Sequence, residues 1–282
     1  LFAVYPGFSQ QYIAVTYSNA FLVMTLALFS LESMVWTIRL PRWRWLLFVA
    51  SLIAQAASLA MTEYFYGWEA LRPLLLWLAQ HPRSEKKPRA RLRDTLWHWA
   101  PYLLVGLPFF IDRLFFHKTP RGEIVLFNQL STNPVATLTS LLQTLIKDFY
   151  EVNLLAWFSR LDLRFISGFE QTILVWLVAV VGSGASLTFI YLMKQEDDSS
   201  DLQTKGERQN PIRWATQAIL LGGCAFFASG WTIWATNLHI ELIFPWDRFT
   251  LILMPGSALL ISGLIVLLAQ RHWQQALILA AI

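Results

Sequence analysis

Long apolar runs separated by short polar or basic stretches set the pattern of this chain. The first clear run, about Ser18 to Ile38, has roughly the ~20 residues a helix needs to cross a bilayer. Comparable runs follow at about Leu46–Met61, Tyr64–Leu78 (short), Trp99–Phe116, Thr172–Met193, Trp214–Thr236 and Phe249–Gln270, and an eighth begins near Gln275 and stops at Ile282. Pro108 lies inside the fourth run, removes a backbone hydrogen bond and predicts a kink there. Leu1–Tyr17 is apolar but broken by Pro6-Gly7 and Ser9-Gln10-Gln11, a loop leading into a short interfacial helix. The pattern predicts an all-α, polytopic transmembrane bundle of about seven spans, residues 1–282 forming one transmembrane domain. Leu1 in place of Met, and the apolar segment that stops at Ile282, predict a piece of a longer chain cut at both ends.

One segment has a different period. Within the polar-mixed stretch 117–171, Asn133-Pro134 supplies an N-cap and a first-turn proline. Val135, Leu138, Leu142, Leu145, Phe149 and Val152 then recur at steps of three and four, with Thr137, Ser140, Gln143, Thr144, Lys147, Asp148 and Glu151 on the other side. This predicts an amphipathic helix on the membrane interface or against the bundle, not a span. Residues 194–213, with Glu196-Asp197-Asp198-Ser199-Ser200-Asp201, predict a flexible solvated loop.

Composition sharpens the class. Charged residues are 14% of the 282, well below the ~25% of soluble domains, so lipid must be the solvent for much of the surface. The 14 Trp suit that setting, because indoles favour the headgroup level. The net charge of +4 is concentrated in short loops and is a topology signal, not a nucleic-acid footprint. The single Cys224 cannot form an internal disulfide. Arg39, Arg42, Arg44 and the cluster Arg83–Arg93 fall in two loops separated by one out-and-back pair of spans. The positive-inside rule places both in the cytoplasm. Alternation then puts Thr62–Gly67, 117–171 and Asn237–Asp247 together on the outer face, and 194–213 back in the cytoplasm. The expected location is an integral, multi-pass position in a membrane, taken to be a bacterial plasma membrane.

Charges at span junctions are the candidate chemistry. Glu63 lies among Tyr64, Phe65 and Tyr66 at the outer end of the second span, as a site carboxylate or a loop carboxylate in headgroup water. Glu69 and Arg72 have i,i+3 spacing and are taken as a surface pair. Trp246-Asp247-Arg248 precedes a span. Either Asp247 caps the helix while Arg248 snorkels, or Arg248 grips a lipid phosphate with its planar fork. Glu32 is taken as a snorkelling carboxylate and Asp112-Arg113 as a local charge pair. His239 and Glu241 lack a third metal ligand, and Glu196-Asp197-Asp198 is assigned to solvent. No phosphate-binding glycine loop or hydrolase motif occurs. Charges at the ends of spans favour interfacial chemistry over a transporter or flippase, which would want broken spans and charges at the midplane. A non-catalytic membrane scaffold is the third reading.

The order of parts resembles the C-type (GT-C) integral membrane glycosyltransferases, in particular their protein O-mannosyltransferase-like and tetratricopeptide-linked bacterial relatives. Leu1-Phe2-Ala3-Val4-Tyr5-Pro6 looks like that family's "LFALHP" stretch, and Met61-Thr62-Glu63 like its second-span ending. Leu92 to Phe116, with Trp99-Ala100-Pro101-Tyr102-Leu103-Leu104, looks like its basic loop followed by "LPYLLL". Arg248-Phe249 with Pro255 resembles its late "RYLLPLLP" segment. Tyr5, Gln10, Thr62 and Ile252 depart from the family pattern. The resemblance implies transfer of a sugar from a polyprenyl-phosphate donor to an acceptor on the outer face. A carboxylate would act as general base, and a cation or Arg would stabilise the leaving phosphate. The family's catalytic carboxylate would lie upstream of Leu1. Glu63, Asp247 and Arg248 are left as substrate-binding candidates, with Glu63 and Arg248 expected to share an outer cavity. No cofactor is expected beyond a divalent metal that such a reaction could use. The implied partners are the lipid bilayer and the lipid-linked sugar, with no nucleic acid.

Overall fold

The computed structural model describes residues 14–80, 88–116, 125–158, 211–236, 238, 240–242 and 246–269. Among them every regular element is helical. The elements are α1 (Ala14–Arg39), a 3₁₀ turn (Pro41–Trp43), α2 (Arg44–Met61), a 3₁₀ helix (Glu63–Ala70), α3 (Leu71–Gln80) and α4 (Pro88–Phe115). They continue with α5 (Val125–Thr132), α6 (Pro134–Tyr150), a π-helical turn (Glu151–Leu155), α7 (Ala156–Phe158), α8 (Pro211–Ala235), a 3₁₀ helix (Trp246–Ile252) and α9 (Met254–Leu268).

Among the described residues, three helical stretches are long and apolar enough to cross a membrane: Ser18–Arg39, Pro41–Met61 and Pro211–Ala235. A fourth is broken, Trp246–Ile252 running into Met254–Leu268 through a 64° bend, with Pro255 in the first turn of α9. These are the first, second, sixth and seventh runs of the sequence pattern, and they make this a membrane protein. The third run is a 3₁₀ helix followed by the ten residues of α3. The fourth is the 28-residue α4, which carries Pro101 and Pro108 and is not apolar enough to join the candidate spans. The fifth run, the onset of the eighth, the stretch before Ala14 and the acidic loop lie outside the described residues.

Small polar and glycine residues decide how the long helices pack. With no water to exclude between helices in lipid, close backbone approach and interhelical hydrogen bonds carry association. In α1 and α2 the hydroxyls of Ser30 and Ser51 donate to each other's carbonyls, at 2.7 and 2.6 Å. In α8 and α9 the glycines face one another. A Cβ on Gly222 would meet Leu260 N at 2.5 Å, and one on Gly256 would meet Phe226 N at 2.6 Å. Gly67, in the 3₁₀ helix after α2, lies so close to α8 that a Cβ would overlap the Ala228 carbonyl. That contact lets Phe65, Trp68 and Leu71 enter the core shared with Phe226, Ile233 and Ile252.

Residues 63–80 run antiparallel to α4. Glu63 pairs with Arg113 near the C-terminus of α4, and the Arg91 guanidinium near its N-terminus donates to the Trp77 carbonyl. The bundle therefore has a Glu63 end and an Arg39 end.

Candidate functional site

The Glu63 end collects most of the residues singled out above. Thr62 caps the 3₁₀ helix by accepting from Tyr64 N at 3.4 Å, which fixes Glu63 at its first position. The Glu63 carboxylate, 42% exposed, forms an ion pair with Arg113, Oε1 to Nη2 3.2 Å. Asp112-Arg113 is thus more than a local pair, because Arg113 reaches across to another element. The Tyr64 ring packs edge-on against Phe249 at 6.1 Å, and the Trp246 ring also lies 6.1 Å from that of Phe249, tilted by 33°. These rings bring the 63–64 and 246–249 segments side by side. Arg248 is exposed, with its guanidinium over the Phe249 ring at 5.1 Å. Asp247 differs from its two companions: its side chain is fully buried, and its carbonyl accepts from the Thr250 hydroxyl at 2.7 Å. A lipid phosphate or sugar can meet Glu63 and Arg248 at the surface but not Asp247.

The amphipathic helix reaches the same end. Asn133 caps α6 by accepting from Ala136 N, and Pro134 occupies its first turn, as the sequence predicts. Around its circumference α6 has three sectors. Thr137, Leu141, Thr144 and Asp148 face the bundle, where the Trp234 indole N–H donates to Asp148 Oδ2 at 2.7 Å. Val135, Leu138, Leu142 and Ile146 form an exposed apolar stripe. Gln143 and Lys147 form an exposed polar one. Part of the expected division is reversed: Leu138 and Leu142 point outward, while Thr137 and Asp148 point in. A helix with a bundle face, an apolar face and a polar face fits the line where protein, lipid and water meet. A cleft of about 20 Å³, lined by Gln129, Thr137, Ser140 and Thr144 with Trp234, lies between α5, α6 and α8 and has room for one water.

A second constellation was missed by the sequence reading. Arg72 is 1% exposed, not a surface residue. Its Nε and Nη2 donate to Glu69 Oε2 and Oε1 at 2.6 and 2.9 Å, so the i,i+3 pairing holds but its setting is the core. Nη2 also donates to Ser30 Oγ at 3.0 Å, Nη1 faces Met34 Sδ, and the guanidinium lies 4.6 Å from the Tyr102 ring centroid. Gln55 Nε2 donates to Glu69 Oε2 at 2.6 Å and to the Tyr102 carbonyl at 3.0 Å. Ser30 and Ser51 lie near the middles of their spans, so this charge pair is at mid-depth. The expectation that charges keep to the ends of spans fails here. The detectable signals were the polar spacings Ser51-Gln55-Ser58 and Ser30-Ser33-Thr37, each on one helical face of an apolar run.

Glu32 lies on α1 toward the Arg39 end, accepting from the Trp36 indole at 3.2 Å. Glu241 is exposed, and His239 lies outside the described residues. Among the described residues no group of three or more His, Cys, Asp or Glu could hold a metal ion. No protein-family model matches this chain, and neither a curated protein nor a solved structure is similar to it.

Proposed function

We propose that this chain binds a polyprenyl-phosphate-linked sugar at the Glu63 end, as the lipid-handling part of a membrane glycosyltransferase working on the outer face. The observation that supports this is the convergence at one end of three things a lipid-linked donor needs. Arg248 offers an exposed fork able to make two charge-assisted bonds to a phosphate. The Glu63–Arg113 pair offers a partly exposed carboxylate that is already held in place and can accept from an acceptor or sugar hydroxyl. The third is the exposed apolar stripe of α6, a surface for a lipid chain on a helix that is tied to the C-terminal part of α8 through Asp148 and Trp234.

The test is equilibrium binding of a fluorescent short-chain polyprenyl phosphate to the protein in neutral-lipid nanodiscs. Arg248→Ala should weaken binding about fivefold, the scale of one basic residue near an anionic group. Arg42→Ala, at the opposite end, should leave it unchanged. Equal effects from both would refute the assignment of Arg248.

A transporter or flippase gains two observations: the mid-depth Glu69–Arg72 pair and the broken span at Leu253. A transport site, however, needs groups free to meet cargo. Arg72 spends its donors on Glu69, Ser30 and Met34 and its face on Tyr102. The pair is better accounted for as a clamp between α1, α2, α3 and α4.

A further inference from the structure

A cleft of about 390 Å³ opens on the flank of the bundle toward its Arg39 end. One wall is α1, from Leu28 to Arg39, and the other is the α8–α9 pair at Leu221 and Leu259. Trp68 and Leu71 form the floor by standing between the two walls. The volume falls in the ~300–1,000 Å³ range of small-molecule sites. Two features say what fits it.

The first is length. From Leu28 to Arg39 the wall rises about 16 Å at 1.5 Å per residue, close to half of the ~30 Å hydrocarbon core. Leu28 lies near the middle of the Ser18–Arg39 span, so the cleft is one leaflet deep. The second is charge order. Arg39, at the mouth, is exposed beside Trp36, its guanidinium 5.7 Å from the ring centroid, and makes no ion pair among the described residues. Glu32 lies two turns deeper on the same wall, held by the Trp36 indole. A negative headgroup is attracted to the mouth and repelled from the interior, while an apolar chain is free to run past Glu32 along the leucines.

We propose that this cleft binds one anionic phospholipid of the leaflet on the Arg39 side, with an acyl chain between α1 and the α8–α9 pair and the phosphate on Arg39. By the positive-inside rule this is the cytoplasmic leaflet, opposite the Glu63 end, and the inference stands whether or not the function proposed above holds. The phosphate makes charge-assisted hydrogen bonds with a guanidinium that has no ion pair among the described residues.

The test uses the whole chain in phosphatidylcholine nanodiscs containing a minor fraction of phosphatidylglycerol with a photoactivatable group in its acyl tail. Crosslinks are mapped by peptide mass spectrometry. Labelling should concentrate on Leu28, Leu71, Leu221 and Leu259, and a tail-labelled phosphatidylcholine should label them less. Arg39→Gln should lower phosphatidylglycerol labelling there about fivefold. Ala225→Phe, which fills the cleft without touching the charge, should abolish labelling by both lipids, while labelling of the exposed face of Leu103 and Leu104 persists as the check on folding. Even labelling of all exposed apolar surface, or no change with Arg39→Gln, would reduce the cleft to ordinary lipid contact and overturn the proposal. So would displacement of the probe by polyprenyl phosphate but not by unlabelled phosphatidylglycerol.

Discussion

Arg72→Met is the most informative single change. Methionine fits the hydrocarbon stem of arginine but supplies no donor. It removes both hydrogen bonds to Glu69, the bond to Ser30 and the contact with the Tyr102 ring. Glu69, 16% exposed, then keeps the Gln55 amide, at 2.6 Å, as its partner among the described residues. Breaking a buried pair from one side costs about 3–5 kcal/mol, because a charge remains in low dielectric without compensation. The residual exposure of Glu69 puts the expectation at the lower end, about 3 kcal/mol. At roughly 2–4 °C per kcal/mol for a chain of this size, that is a fall of about 6–12 °C in the apparent Tm. The assay is detergent-solubilised thermal unfolding followed by size-exclusion fluorescence. The double variant Glu69→Leu/Arg72→Met removes both charges and should recover most of the loss, since an apolar replacement of a whole buried pair is often neutral or better. A shift below about 2 °C for Arg72→Met would mean that the pair behaves as a solvated surface bridge and that the clamp reasoning is wrong.

The remaining expectations concern packing and topology. Gly222→Ala places a methyl against Leu260 N at 2.5 Å and should destabilise the α8–α9 contact by about 1–3 kcal/mol. Gly223→Ala, with nothing within 4 Å of its Cβ, should be neutral or slightly stabilising in the same thermal assay. In a Cys224→Ser background, cysteines placed at Asn128 and Ser131 of α5 should react with a membrane-impermeant maleimide added from outside, and one placed at Arg89 should not. The opposite pattern would reverse the orientation and move the proposed donor site to the cytoplasmic face.

Much of the fold was legible because lipid imposes length and apolarity on spans and leaves them no polar run to hide in. Ser18–Ile38, Leu46–Met61 and Trp214–Thr236 coincide with helices for that reason. The cap and first-turn proline at Asn133-Pro134 fixed the start of α6, since both act locally. Tertiary choices were less legible. Periodicity assigns Leu138 and Leu142 to a buried face when only one apolar environment is considered. Here lipid is a second one, and the bundle instead takes Thr137 and Asp148, because Trp234 supplies a donor for the carboxylate. Glu69 and Arg72 were placed at the surface because i,i+3 charge pairs usually belong there. The decisive partners, Ser30, Gln55 and Tyr102, are 14 to 42 residues away in sequence.

The same tertiary choices bear on how the Glu63 end is held. Glu63 and Arg248 belong to two 3₁₀ stretches, not to long helices, and such short elements hold their shape only when their surroundings determine it. The first stretch is fixed at three points along its length: Gly67 against the α8 backbone, Tyr66 OH donating to the Leu59 carbonyl at 3.1 Å, and Glu69 in the Arg72 clamp. The second is fixed by the Trp68 indole, which donates to the Ile252 carbonyl at 3.3 Å, and by Phe249 against Tyr64. Trp68 therefore ties the two stretches to each other across 184 residues of sequence. Loosening the clamp at mid-depth would be felt at Glu63 through the five residues between it and Glu69, six steps or about 12 Å of 3₁₀ rise with little slack. The buried charge pair and the exposed Arg248 are thus parts of one support, even though only the latter lies at the surface.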